Sequence, residues 1–171
     1  VITTEYFDRF IIENGLQYVI NSDLSDAEIL SEFVASTLPA ELTEDLRVFI
    51  RNVRKPLAVR SSSKLEDSYY QPFAGVYSTY MIPHTENEDQ ELRLLSKAIK
   101  SVYASVYFAS SRGYIISTSN VISEEKMAIV LQEICGSEDG GYYFPTFSGV
   151  ARSLNFYPIG YERPEDGVVK L

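Results

Sequence analysis

Pro56 divides the chain into two hydrophobic periods, and that change constrains the fold more than any other feature. Before it, apolar residues recur every three to four positions, as one face of a helix requires. After it they alternate or run together, as strands do. "TTEYFDRFIIENG" carries Tyr6, Phe7, Phe10 and Ile11 on one face, with Thr3 or Thr4 as N-cap and Gly15 as the C-terminal stop. "SDAEILSEFVAS" opens on Ser25 and Glu28 in capping-box spacing and presents Ile29, Leu30, Phe33 and Val34. "LPAELTEDLRVFIRNV" places Pro39 in the first turn, ahead of Leu42, Leu46, Phe49, Ile50 and Val53. All three read as packing elements.

Beyond Pro56, "PLAVRS" and "GVYSTYMIP" read as short strands. The longest helix follows in "NEDQELRLLSKAIKSVYASVYFASSRGY", with Leu92, Leu95, Ile99, Val102 and Val106 at helical spacing. Thr85 and Glu88 offer it a second capping box, and it should end near Arg112 and Gly113. "KMAIVLQEIC" is too continuously apolar for a surface strand and predicts a central one. "YYFPTFSGVARSLNFYPIG" adds one or two strands, punctuated by Gly149 and Pro158. The pattern is α+β: a mainly helical part over residues 1–55, then a mostly antiparallel sheet with a long helix over 56–171. A length of 171 residues suits one domain, or one domain plus a fragment of another.

Several function classes drop out. A net charge of −9 argues against nucleic acid or an anionic membrane as the main partner. No apolar run approaches the roughly 20 residues of a membrane span. Cys135 is the single cysteine, so no internal disulfide exists, and a reducing, cytoplasmic compartment is expected. His84 is the single histidine, in a strand-exit loop where an idle, exposed ring is the ordinary outcome. One His and one Cys make neither a zinc site nor a Cys–His nucleophile pair. The adjacent Glu66 and Asp67 could bind a metal, but such pairs in polar loops are ordinarily solvated or cap a turn. Neither a GxxxxGK[ST] loop nor a GxGxxG fingerprint is present.

The charge pattern is more informative. "RNVRKPLAVRSSSK" holds Arg51, Arg54, Lys55, Arg60 and Lys64 and no acid. An acidic protein that concentrates cations in one stretch offers an anion site there. Arg60 follows an apolar strand that would hold it, so it should stand at the strand end and face a concave surface. Its guanidinium suits a forked contact to phosphate or carboxylate. Ser61, Ser62 and Ser63 could add donors, and Gly75 would let backbone approach a ligand. The alternative is that Arg60 pairs with Glu66 or Asp67 and the serines make a turn. The residues alone leave both open.

"AVRSSSKLEDSYYQPFAGVYSTY" resembles the signature of the nucleotide-binding domain of the phosphoenolpyruvate synthase and pyruvate phosphate dikinase family, roughly AVRSSA-x-x-ED, then SFAG, then x-x-E-T-[FY]. Here it stands as Ala58-Val59-Arg60-Ser61-Ser62, Glu66-Asp67, Phe73-Ala74-Gly75 and Thr79-Tyr80. "VITTEYFDRF", "AIKSVYASVYFASSRGY", "MAIVLQEIC" and "FSGVA" are similar to further ordered motifs of the family, so the likeness covers essentially the whole chain. It implies part of an ATP-grasp domain, the first nucleotide-binding subdomain, in which ATP lies between two α+β subdomains. It makes Arg60 the catalytic arginine on the transferred phosphates and puts Gly75 and Thr79 on the phosphate side. Gln132, Ile134 and Cys135 fall where the adenine is lined, at the end of a central strand facing the same cleft.

The chain also departs from that pattern. Ser63 and Lys64 replace the usual alanine and threonine, and Ser78 replaces the glutamate before the threonine. The resemblance places a glycine–lysine loop before Val1, and the magnesium-holding residues, the phosphohistidine domain and a pyruvate-binding barrel after Leu171. A piece of a longer parent is therefore expected. The parent would use ATP and Mg2+ to phosphorylate its own histidine and then pyruvate, giving AMP, phosphate and phosphoenolpyruvate. Two rivals follow: a related dikinase acting on a glucan or an antibiotic, and a non-catalytic module on the same fold.

Overall fold

The structure is a computed structural model and describes residues 1–66, 76–117 and 125–171. Gly75, Phe73, Ala74 and Asp67, all named above, lie outside the described residues. Contacts divide the chain into two units, Val1–Ile134 and Cys135–Leu171.

The first unit begins with α1 (Thr4–Glu13), a 3-10 turn (Leu16–Asn21), α2 (Asp26–Ala35) and α3 (Ala40–Asn52). Gly15 takes φ +65 after α1, the left-handed conformation that ends a helix cheaply only at glycine. Ser25 and Glu28 form the expected reciprocal capping box. Pro39 stands just before α3 rather than inside its first turn. Then come β1 (Leu57–Ser63), β2 (Tyr80–Ile82), α4 (Glu88–Ser105), α5 (Ala109–Ser117) and β3 (Met127–Glu133). The three strands pair antiparallel in the order β2-β1-β3.

The helical stripes close over one core. α2 and α3 pack on α4, α4 packs on β1 and β2, and α1 packs on β3. Phe7, Phe10, Phe33, Tyr103 and Tyr107 interlock at its centre, with ring centroids 5.1–6.4 Å apart. Such aromatics dominate core energetics through their area and their edge-to-face contacts. Tyr103 is wholly buried, and its hydroxyl has no hydrogen-bond partner among the described residues. Burial alone raises its phenol pKa. An orphaned buried hydroxyl costs about 1–3 kcal/mol. Tyr103→Phe should therefore raise the unfolding free energy in urea by about 1 kcal/mol or more. A loss of stability would mean that the hydroxyl has a partner.

Three expectations change. The long helix stops at Ser105 instead of running to Arg112, because Ser105 and Ser111 hydroxyls bond to the carbonyls of Val102 and Ser105 and turn the chain into α5. Asn87, not Thr85, caps α4: its side chain accepts from the Gln90 N–H at 2.9 Å, while Thr85 donates to the Asn87 carbonyl. β3 is an edge strand of the described sheet rather than a central one. Its apolar run arises because Met127 and Ile129 are buried on one face while Ala128 and Val130 are half-buried on the other. Ile2 shields part of its outer edge by exchanging backbone hydrogen bonds with Ile129.

The second unit consists of two hairpins. β4 (Ser137–Asp139) and β5 (Tyr142–Phe144) join through Gly140 and Gly141, with φ +59 and +82. Both central residues of such a two-residue turn need positive φ. β6 (Val150–Arg152) pairs with β7 (Val168–Lys170). No apolar residue of this unit is buried, and Phe147, Tyr157, Ile159 and Tyr161 are among those exposed.

Candidate functional site

Period two decides what Arg60 can reach. Successive strand side chains point to opposite faces. Leu57, Val59, Ser61 and Ser63 therefore share the face that α4 covers, with Ile129 and Met127 beside them. Ala58, Arg60 and Ser62 share the outer face with Ala128, Val130 and Gln132. Arg60 is exposed, and its Nη1 donates to Gln132 Oε1 at 3.0 Å. It stands in the middle of β1, not at a strand end, because the strand continues through the serines.

That continuation separates the three hydroxyls. Ser61 turns away and donates to Glu66 Oε1 at 2.9 Å. Ser63 is buried on the same side and accepts the Glu66 N–H at 3.4 Å. Only Ser62 shares the face of Arg60, so three serines do not converge on one anion. Glu66 is occupied across the sheet and is not the partner of Arg60. The basic stretch disperses as well. Arg51 ion-pairs with Glu88 at 2.8 Å, and Lys55 with Glu133 at 3.5 Å. Periodicity places Arg51 on α3 and Arg60 on β1, so nearness in sequence does not make one patch.

The outer face has a second feature that sequence reading passed over. The β1–β2 register sets Met81 beside Ala58, which in turn lies beside Gln132. Continued by one residue, the same register sets Thr79 opposite Arg60, and Thr79 is exposed. Two rows result: Met81, Ala58 and Gln132, then Thr79, Arg60 and Val130. Met81 is 66% exposed although it lies in a strand. The signal was the alternation in "STYMIP", where Tyr80 and Ile82 fall on the core face.

Ile134 extends the β1–β3 ladder by donating its N–H to the Pro56 carbonyl at 2.9 Å. Its parity matches that of Gln132. Its backbone N–H is thus committed to the sheet rather than to a ligand. Cys135 is exposed and opens the second unit, where it borders a depression of about 460 Å³ with Gly136, Ser137, Pro145, Thr146 and Phe147.

Two polar clusters lie elsewhere. Tyr77 donates to the buried Glu125 at 2.9 Å, and burial, then the Glu125 charge, push its phenol pKa far up. His84 is neither idle nor fully exposed: its Nδ1 lies 3.0 Å from the buried Glu91 carboxylate, which also accepts the Thr85 N–H. That carboxylate ties the β2–α4 connection to the helix, a structural role. Among the described residues no group of three or more His, Cys, Asp or Glu is placed to hold a metal ion. No described helix is long and apolar enough to cross a membrane.

The outer face therefore presents a fixed cation, a hydroxyl, an amide and an apolar row. Among the described residues it holds no histidine or carboxylate beside Arg60 to act as a base. Such a surface binds and neutralises an anion rather than moving protons.

The family model described as "Pyruvate phosphate dikinase, AMP/ATP-binding domain" matches residues 1–170. The chain is similar to the "Uncharacterized phosphotransferase YvkC" of Bacillus subtilis, 34% identical over 144 residues, which cover 84% of this chain and 16% of that protein. It is also similar to the "Phosphoenolpyruvate synthase" of Aeropyrum pernix, 28% identical over 165 residues, and to the "Probable phosphoenolpyruvate synthase" of Staphylothermus marinus, 26% over 167. Each of those two alignments covers 84% of this chain and 19% of the relative. The chain thus spans less than a fifth of the length of these relatives.

Proposed function

This chain belongs to the family of the pyruvate phosphate dikinase AMP/ATP-binding domain, and on that premise we propose that it holds ATP for a phosphoenolpyruvate synthase-like phosphotransferase. The observation that carries the reading is Arg60, exposed at the centre of the outer sheet face and hydrogen-bonded, among the described residues, to the neutral Gln132 amide. A neutral acceptor does not compensate the guanidinium charge, which suits a phosphate. Opposite it, the Thr79 hydroxyl can serve the same anion. The side chains of Gln132 and Ile134 line the base end of that face, and Cys135 continues the chain there. The family resemblance assigns Gly75, which lies outside the described residues, to the phosphate side.

The proposed architecture is one ATP-grasp subdomain, with the nucleotide lying against this sheet. The proposed parent converts ATP, pyruvate and water to AMP, phosphoenolpyruvate and phosphate through a phosphohistidine on another part of its chain, in the cytoplasm. In phosphoryl transfer the protein works mainly by positioning and by neutralising charge. Arg60 suits both tasks, because β1 fixes its stem while the fork stays free. Magnesium would supply further charge neutralisation, but among the described residues no group of three or more His, Cys, Asp or Glu is placed to hold it, so no step here runs through it.

The test is made on the full-length parent. Incubated with ATP and Mg2+, it should release AMP beyond the single turnover that phosphorylates its own histidine only when pyruvate is added. AMP release with a glucan or an antibiotic, and none with pyruvate, would reassign the acceptor. Absence of ATP binding would overturn the nucleotide reading itself.

A further inference from the structure

We infer that Met81 is a base-contacting residue of the nucleotide site and fixes which way round the nucleotide lies; this rests on the ATP reading above. The argument comes from register. Arg60, the proposed phosphate ligand, pairs with Val130, and the β1–β2 register continued by one residue sets Thr79 on its other side. One row nearer Ile134 lie Met81, Ala58 and Gln132, on the same face. Rows two residues apart are separated by about 6.6–6.8 Å, and three strands span about 9.5 Å. Phosphate on the Arg60 row thus leaves the base over the next row in one direction or the other.

Chemistry selects the direction. The row beyond Arg60 on the other side is Ser62 and Ala128, a hydroxyl and a methyl. The Met81 row has a long thioether at one end, a long amide at the other and the short Ala58 between them. Ala58 is buried beneath this row, so a planar ring would rest against the exposed Met81 and Gln132 side chains that flank it. Methionine sulfur is polarisable and packs well against aromatic rings. A large apolar side chain left 66% exposed in the middle of a strand, beside the phosphate arginine, is explained by a ligand that covers it. Arg60 and Met81 then divide the nucleotide between them, the first reading its charge and the second its base.

The two roles separate with two ligands. ATP and inorganic tripolyphosphate share the phosphates, and only ATP has the base. In the full-length parent, Met81→Ala should weaken ATP binding roughly five- to tenfold and leave tripolyphosphate binding within about twofold. Met81→Leu keeps the apolar volume and should restore ATP binding to within about twofold of wild type. Because Met81 is largely exposed, the melting temperature should not move, which separates lost contact from a damaged sheet. Unchanged ATP affinity in Met81→Ala would overturn the inference and assign the exposed side chain to a protein contact. Equal weakening of both ligands would overturn it too. If the wild-type parent binds tripolyphosphate but not ATP, the base subsite is absent; if it binds neither, the nucleotide reading falls and this inference with it.

Discussion

Arg60→Ala in the full-length parent should lower ATP-dependent phosphotransfer by about a thousandfold or more, the scale set by arginines that neutralise a transferring phosphoryl group. The fold should survive. Arg60 is exposed on the outer sheet face, and its side chain bonds Gln132 across the strand pair. Surface substitutions of that kind ordinarily change stability by no more than about 0.5 kcal/mol. Arg60→Lys should recover only part of the rate, because an ammonium keeps the charge and loses the planar fork. A normal rate of AMP formation by the alanine variant would remove Arg60 from the chemistry. A collapsed melting curve would mean that the Gln132 bond holds the β1–β3 pair together.

The second large effect is on affinity. This chain carries −9 overall and ATP about −4, so attraction at long range is unfavourable. Binding by this chain is expected from Arg60 and from the row beside it, because Arg51 and Lys55 of the basic stretch are already in ion pairs. The family resemblance places a glycine–lysine loop and the magnesium-holding residues outside these 171 positions. Each charge-assisted contact contributes roughly 1.5–3 kcal/mol. Two such contacts correspond to about two to four powers of ten. The 171-residue chain should therefore bind ATP with a Kd of about 1 mM, and the parent roughly a hundred- to ten-thousandfold more tightly. Calorimetry on both decides it, and equal affinities would show that the site is complete within this chain.

The sequence carried the helices well and the site less well. Ser25 and Glu28, Gly15 and the stripe through Leu92, Leu95, Ile99 and Val102 were legible because capping and helical period are local. The break after Ser105 was not, since the Ser111 hydroxyl bonds a carbonyl six residues earlier. β3 looked central because its two faces are both apolar, and which strand lies at an edge is a property of the whole sheet. At the site, the motif singled out Arg60 but grouped it with neighbours that strand parity sends to the opposite face. Met81 was invisible as a site residue until the register joined it to Ala58 and Gln132. The second unit shows the converse: Gly140 and Gly141 mark its turn plainly, yet its aromatic residues, apolar enough to suggest a core, remain exposed.

Methyl NMR of the 171-residue chain during an ATP titration tests most directly whether the outer face of the sheet is the nucleotide surface. Ala58, Met81 and Val130 put methyl groups on that face, while Leu57, Val59 and Ile129 put theirs on the core face of the same strands. Adenine stacked over the outer row shifts nearby methyls by its ring current, and weak binding at roughly 1 mM is no obstacle at several millimolar ATP. The account predicts that Ala58, Met81 and Val130 move together along one saturation curve, that the core-face methyls of the same strands stay nearly still, and that Arg60→Ala flattens the response. Shifts centred on α2 and α3, or no shifts at several millimolar ATP, would contradict it.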